Sequence, residues 1–476
     1  MSSPGKPKAQ MISFAKIANH ANLRCDAKYR LFWGEIGDTL YPTSKVACFP
    51  MKLSTVGHRV EKLKKGELDS EYELIELEDV EPRTGNILTS TMVTKIKSDK
   101  LLFGDADVLT TRLRPYLGKT IQNDRSRPMA GTTEWIPLKV RQDRMHPLLL
   151  KYYLLAPVYV DNANRLLSGK EHPRVAESDI LSLKVPFFDE KTRAALVSRI
   201  EKLEQTIASE QKKVKSDQLI INEMLCREFG YPLAEHLKRE RMRYYTKELG
   251  AISAGSTLRS SSRYHHPDYE LLKGFFLSVP HVRVKKYIAI PIKLGATAKM
   301  GDFVENGEAY YVHPGATKKQ GVILLEDCYQ VSGEYYDTNR RRAGLIRRDI
   351  IINRSGEALG KVAYWDSTEP AVASDFTMRV RVNADANSRF MWYFFRSVMF
   401  QAQMYREIMG ASVNNVFPSQ VEKMLIVECD RKRQDAIASK ITAELDKVRT
   451  ARTKMEMDRG RIQTVVDMAV AGKSVP

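Results

Sequence analysis

Paired cysteines are missing from this chain. Its five cysteines (Cys25, Cys48, Cys226, Cys328 and Cys429) are isolated, with no CxxC pair and no histidine at zinc-finger spacing. That excludes a disulfide scaffold and a structural zinc site and predicts a reducing compartment. Long apolar runs are missing too. The longest, Leu148 to Val160 and Phe390 to Phe400, are short and interrupted by Lys151 and Arg396, so no segment reaches the roughly 18 apolar residues of a membrane helix. Met1 to Gln10 is polar and lacks the apolar core of a secretion signal, so a soluble, cytoplasmic protein with no membrane partner is expected. Acidic side chains are the minority charge. Lys and Arg total 76 against 58 Asp and Glu, for a net charge of +18. Residues 1 to 250 hold 42 basic and 33 acidic groups, and 251 to 476 hold 34 and 25, so no single tail carries the excess. Charge spread over folded sequence favours a polyanionic partner, nucleic acid before membrane, with solvated surface lysines as the bland alternative.

Catalytic motifs are absent as well. Leu117-Gly118-Lys119-Thr120 imitates the end of a phosphate-binding loop, but the position where GxxxxGK[ST] needs its first glycine is Leu113. There is no GxGxxG after a strand, no HExxH, no GxSxG and no Asn/Asp-Pro-Pro-aromatic motif of amino-methyltransferases. His265-His266-Pro267-Asp268 reads as a loop rather than a metal site or triad, since the first copy of the repeat described below has Arg30 and Leu31 there.

What the chain does have is a copy of itself. Leu23-Arg24 with Tyr29 recurs as Leu258-Arg259 with Tyr264, and Leu77-Glu78-Asp79 with Gly85 recurs as Leu325-Glu326-Asp327 with Gly333. Arg112 and Gly118-Lys119 recur 242 residues later as Arg354 and Gly360-Lys361. Gly169, Val175, Ser178, Asp189, Lys191, Ala195 and Ile200 recur 241 later as Gly410, Val416, Ser419, Asp430, Lys432, Ala436 and Ile441. Conserved order at a nearly constant offset marks a duplication whose loops vary in length.

Each copy has two parts. The first mixes short β-like runs (Asp107 to Thr111, Asp349 to Asn353) with Gly and Pro punctuation, and so predicts an α+β domain. Its aromatic stretch, His146 to Tyr159 or Ser388 to Phe400, has the spacing of a core helix more than of a base-stacking platform. The second part is a charged segment almost free of Gly and Pro, from Lys191 to Phe229 and from Arg431 to Val470, broken only by Gly460. Ile200, Ile207, Val214 and Ile221 are seven apart, and so are Ile441, Val448, Met455 and Ile462. Leu196, Leu203, Met224, Ile437 and Val465 make a partial second row, weakened by Glu210, Asp217, Glu444 and Asp458. Helices of roughly 55 to 60 Å with such a stripe need a partner. The economical solution is that they pack on each other.

The predicted organisation is an N-terminal segment (1–22), a first α+β domain (23–190), a long helix (191–230), a linker (231–257), a second α+β domain (258–430) and a second long helix (431–471). Candidate contacts to a nucleic acid are the basic and amide side chains on turns. In copy one these are Arg112, Arg114, Lys119, Gln122, Asn123 and Arg125, and in copy two Lys318, Lys319, Arg340, Arg341, Arg342, Arg354 and Lys361. Cationic tips beside turn amides suit phosphates, and Arg, Asn and Gln are the side chains that read purines in the major groove. The turns differ between copies, as expected if each copy reads its own sequence from a shared scaffold. Solvated hairpin residues are the alternative.

Taken in order along 23 to 470, these residues resemble the specificity subunit of type I restriction-modification enzymes. The resemblance rests on the tandem plan and the repeated features: Leu23-Arg24 to Tyr29, the Leu-Glu-Asp and Gly segment, the β-run ending in Arg112 or Arg354 with its Gly-Lys, and the Ser178-Asp179-Ile180 to Pro186 and Ser419-Gln420-Val421 segments that lead into the helices. It implies two tandem target-recognition domains, each reading half of a split site in double-stranded DNA, and two helices pairing as an antiparallel coiled coil that sets their spacing. It further implies a noncatalytic chain on which two methyltransferase (modification) subunits dock to methylate adenine. ATP-driven restriction/translocase subunits would join them. S-adenosylmethionine, and ATP with magnesium, would then belong to those partner subunits. The coiled-coil interface would comprise Leu196, Ile200, Leu203, Ile207, Val214, Ile221, Ile437, Ile441, Val448, Met455 and Ile462. Two other readings fit the residues: a methyltransferase or nuclease with an unfamiliar catalytic motif, and a basic coiled-coil scaffold.

Overall fold

A computed structural model describes residues 46–56, 61–123, 127–168, 173–248, 250, 252, 261–318, 320–409 and 414–473. The repeat features at 23–29 and 258–259, Cys25, and Gly169 with Gly410 lie outside the described residues. The chain forms two compact units. One joins the residues up to Lys212 with those from Ala451 onward, and the other is Lys213–Thr450.

In the first unit an antiparallel sheet has the strand order Thr55–Val56, Trp135–Val140, Val108–Thr111, Thr120–Gln122. In the second unit the order is Lys293–Leu294, Thr377–Val380, Ile350–Asn353, Val362–Tyr364. The period-two alternation of strand side chains divides each sheet between two cores. Val108, Ile136 and Leu138 face the helices Pro147–Leu155, Pro157–Arg165 and Glu190–Gln211, while Leu109, Ile121 and Trp135 face a second, five-stranded sheet. In the other unit Ile350 and Ile352 join the helical core, and Ile351 joins Val312, Ala371 and Ala373 of a three-stranded sheet. Each second sheet contains one parallel pair, Glu73–Ile75 with Met129–Gly131 and Tyr310–Val312 with Ala371–Ala373. The aromatic stretches are core, as their spacing predicts: Phe390, Phe394 and Phe395 are fully buried.

The backbone corrects one register of the repeat. Leu77–Asp79 is a 3₁₀ turn directly after the strand Gly66–Ile75, and the turn in that position of the second unit is Pro314–Ala316, directly after Ala309–Val312. Leu325–Asp327 instead precedes the strand Tyr329–Val331. Likewise Gly85 pairs with Gly321, not Gly333. Both have left-handed backbone (φ 72° and 75°), and an added Cβ would stand 2.9 Å from the Thr120 carbonyl oxygen in one case and 2.8 Å from that of Val362 in the other. Gly333 opens a helix, Gly333–Ala343. A short Leu-Glu-Asp match occurs easily by chance, whereas a backbone that must approach a strand carbonyl closely tolerates only glycine.

The helix expected over 191–230 is two helices, Glu190–Gln211 and Asp217–Phe229. Ser216 caps the second, its hydroxyl accepting the Leu219 N–H at 3.2 Å, and Lys212, Lys213 and Lys215 crowd like charge into the break. Val214 therefore lies between helices rather than on a turn of one. The second copy has Thr453 to Met457 in the corresponding place, and the helix Arg431–Val470 runs on unbroken for 40 residues.

Within the first unit Leu196, Val197 and Ile200 share a core with Ile462, Val465, Val466, Ala469 and Val470, and Leu203 and Ile207 are partly buried against it. Lys454 Nζ meets Glu210 Oε1 at 2.7 Å. Within the second unit Ile221 and Leu225 share a core with Ile437, Ile441 and Val448, with Val214 and Met224 partly buried, and Arg433 Nη2 meets Glu228 Oε1 at 3.1 Å. Met455 is buried too. Asp458, one of the polar members of the seam, is buried with its Oδ1 accepting from Arg461 Nη1 at 2.8 Å.

The stretch 231–257, expected as a linker, begins with a helix, Leu233–Glu240, that packs through His236. The His236 Nδ1 lies 2.7 Å from the Tyr231 hydroxyl. Burial holds the imidazole below its usual pKa of 6.5, against the opposing pull of Asp268 and Glu240. The unfolded chain thus takes up this proton more readily, and stability is lost as pH falls below 6.5 toward the folded pKa. Thermal melts between about pH 7.5 and about pH 5 are expected to show a steeper acid-side decline for the wild type than for His236→Gln. Equal declines would remove His236 as the cause.

Candidate nucleic-acid interface

The site residues sit where the central sheet meets its turns. Arg112 and Arg354 follow the strands Val108–Thr111 and Ile350–Asn353 and occupy twin backbone positions. Arg112 donates its N–H to Glu134 O at 3.0 Å and accepts from Val175 N at 2.9 Å. Arg354 donates to Phe376 O and accepts from Val416 N, each at 3.0 Å. Their guanidinium groups are engaged within the protein. Arg112 Nη2 reaches Glu177 Oε2 at 3.4 Å. Arg354 Nε donates to Asp375 O at 2.9 Å, and its Cζ stands 5.8 Å from the Phe417 ring centroid. Both tie the strand end to the segment that leads toward the helices.

Beyond them the chain turns tightly. In the first unit Pro115–Leu117 is a single 3₁₀ turn between Arg114 (φ 47°) and Gly118 (φ 55°). In the second, Gly356–Ala358 is the 3₁₀ turn, between Ser355 and Leu359, with Gly356 at φ 70° and Gly360 at φ 82°. Arg114 points a side chain into solvent. Lys119, expected to reach a phosphate, is buried instead, its ammonium donating to the Leu77 carbonyl. Burial pushes its pKa down, with Glu78 and Asp79 pulling the other way. Asn123 is buried as well, its amide donating to Gly104 O at 3.1 Å and Ala106 O at 3.0 Å. Both are framework residues whose burial removes them from an interface. Gln122 is exposed, and Arg125 lies outside the described residues.

In the second unit Lys361 is exposed, and Lys318 Nζ pairs with Asp327 Oδ2 at 2.7 Å. Lys319 lies outside the described residues. Arg340, Arg341 and Arg342, expected on a loop, form the last turn of the helix Gly333–Ala343, which buries Ala343 and partly buries Tyr335 and Tyr336. All three arginines are exposed, with Arg340 Nε 3.2 Å from Asp337 Oδ1.

The sequence reading passed over Arg83. Its N–H is shared between Leu117 O (3.2 Å) and Gly118 O (3.1 Å), and its Nη2 lies 3.5 Å from Tyr116 O, so it sits against the turn that Arg114 opens. Glu81-Pro82-Arg83-Thr84-Gly85 is a turn signature that could have drawn attention to it.

Similar chains among solved structures include type I restriction-modification S subunits. One is the S subunit from M. genitalium, 11% identical, covering 89% of this chain and 96% of that one, with a TM-score of 0.47. Another comes from a study of complex assembly and conformational transition of the type I R-M system, 11% identical over 91% and 100% of the chains, with a TM-score of 0.45. The HsdS subunit from Thermoanaerobacter tengcongensis is 11% identical over 92% and 100%, with a TM-score of 0.33. No protein-family model and no curated protein matches the chain. Among the described residues no helix is long and apolar enough to cross a membrane, and no cluster of three or more His, Cys, Asp or Glu could hold a metal.

Proposed function

We propose that this chain is the DNA-recognition subunit of a type I restriction-modification complex, with each α+β unit reading one half of a split double-stranded site. The observation that carries this reading is a repeated framework with unlike cationic turns. Both units hold the same central strand order and the twinned Arg112 and Arg354, yet the exposed cations differ. They include Arg83 and Arg114 on turns in the first unit, and Arg340, Arg341 and Arg342 on a helix with Arg348 and Lys361 on turns in the second. A conserved scaffold with divergent cationic tips is what two readers of different sequences require. Half-sites on a duplex favour a pseudo-repeated protein for the same geometric reason.

The helical segments pair as an antiparallel coiled coil in this reading. Support comes from the order of contacts: Leu196 and Ile200 share a core with the last residues of Arg431–Val470, Glu210 meets Lys454, and Glu228 meets Arg433. Methyl transfer to adenine and ATP-driven translocation fall to docked modification and restriction subunits, which supply S-adenosylmethionine and ATP with magnesium. The chain contributes recognition and no catalytic group.

Adenine methylation mapped across the genome of cells with and without this chain tests the proposal. One split adenine motif is expected to lose its methylation when the chain is removed. Survival of every motif, or DNA methylation by the purified chain alone, would overturn it.

A further inference from the structure

Left-handed backbone disfavours every residue with a Cβ, and the exceptions are usually Asn or Asp. Among the described residues four non-glycine residues have positive φ, and three of them are arginines: Arg83 (61°), Arg114 (47°) and Arg348 (78°), the fourth being Asn306. All three arginines are exposed. Backbone bonds hold both positions, Arg114 N–H to Pro173 O at 3.3 Å and Arg348 N–H to Trp365 O at 2.8 Å. Among the described residues neither guanidinium has a hydrogen bond or ion pair, so no side-chain contact within the protein accounts for an arginine at either place.

The duplication supplies an internal control. Arg114 and Gly356 each stand two residues beyond the twinned arginines Arg112 and Arg354, and both are left-handed, at φ 47° and 70°. The fold asks for positive φ at this position, and the second unit meets the demand with glycine. The first unit keeps an arginine there against its backbone preference. A Cβ on Gly356 would meet nothing within 4 Å, so the glycine is not forced by crowding. Arg83 adds to the same spot. A Cβ on Gly118, which closes the turn opened by Arg114, would lie 3.1 Å from Arg83 Cγ. Two exposed guanidinium side chains on strained backbone thus rise from adjoining turns. Strain held in this way marks ligand clamps more than scaffolding.

We infer that Arg83 and Arg114 form a clamp for the DNA phosphate backbone in the first unit, and that Arg348 plays the same part in the second. The inference rests on the DNA-recognition reading and assigns it to residues. A phosphate contact fixes orientation without reading bases, and guanidinium forks suit phosphate oxygens.

The test uses the full chain and duplex DNA of mixed sequence, with affinity measured across a range of salt and thermal melting in parallel. Arg114→Gly is expected to raise the melting temperature by roughly 2–4 °C, because the strain is relieved. It is also expected to reduce the log–log salt slope of binding by about one, with affinity falling about tenfold on every sequence. Arg83→Gly and Arg348→Gly should behave alike. The reciprocal Gly356→Arg should gain about one in slope and melt lower. Unchanged slopes in all four variants, with duplex binding intact, would overturn the clamp and leave the recognition reading standing. A fall in melting temperature of Arg114→Gly alongside its binding would make the arginine structural and also overturn it. A wild-type chain with no affinity for any duplex would bring down the recognition reading, and the clamp with it.

Discussion

Ile441→Asp is expected to leave the second unit largely unfolded. Ile441 is fully buried in a core that also holds Ile221, Leu225, Ile437 and Val448. The substitution removes a large apolar side chain and places a carboxylate in a hydrophobic core. The combined loss exceeds about 4 kcal/mol, a large part of the roughly 5–15 kcal/mol that holds an ordinary domain. Ile207, on the matching heptad row of the first copy, is only partly buried at the edge of the first unit's core, so Ile207→Asp should cost about 1–2 kcal/mol. Chemical denaturation followed by far-ultraviolet circular dichroism reads both, and equal losses would refute the burial-based ranking of the seam. Heptad spacing alone gave these positions equal weight, and packing separates them.

The second large effect concerns binding. Converting Arg340, Arg341 and Arg342 together to glutamine is expected to lower affinity for duplex DNA about a hundredfold or more at moderate salt and to reduce the salt slope by about three. All three stand exposed in the final turn of Gly333–Ala343, where their charge also complements the negative end of the helix dipole. Glutamine keeps helix propensity while removing charge, so circular dichroism should change little. A variant that binds as tightly as wild type would move the second unit's interface off this helix.

The legible part of the fold was the part under fixed spacing. From Arg112 and Arg354 onward the copies hold an offset of 241 or 242, because strands, buried helices and the segments between them tolerate no insertion. Upstream, loop lengths vary, and the Leu-Glu-Asp match drew the alignment into the wrong register. The break at Lys212 to Ser216 had a signal that heptad counting overrode: a serine ahead of an aspartate, the usual start of a new helix. The site was harder to read than the fold. Nothing in Gly118-Lys119 says that the lysine turns inward, since that depends on a carbonyl 42 residues away, at Leu77. Asn339 to Arg342 have the composition of a base-reading turn, yet Tyr335 and Tyr336 anchor the segment as a helix on the core. Arg83 and Arg114 gain their meaning from backbone angles, which spacing does not encode.

The split of the closing helix sets an order of events during synthesis. Residues 213–450 contain all of the second unit, whereas the first needs the stretch from Ala451 onward. On the ribosome the amino-terminal half therefore emerges first but is completed last, its Leu196 and Ile200 uncovered until Ile462 and Val466 arrive. A nascent or nonsense-truncated chain ending before Ala451 carries one finished unit and one with an open apolar flank, which makes it a substrate for chaperones and proteases.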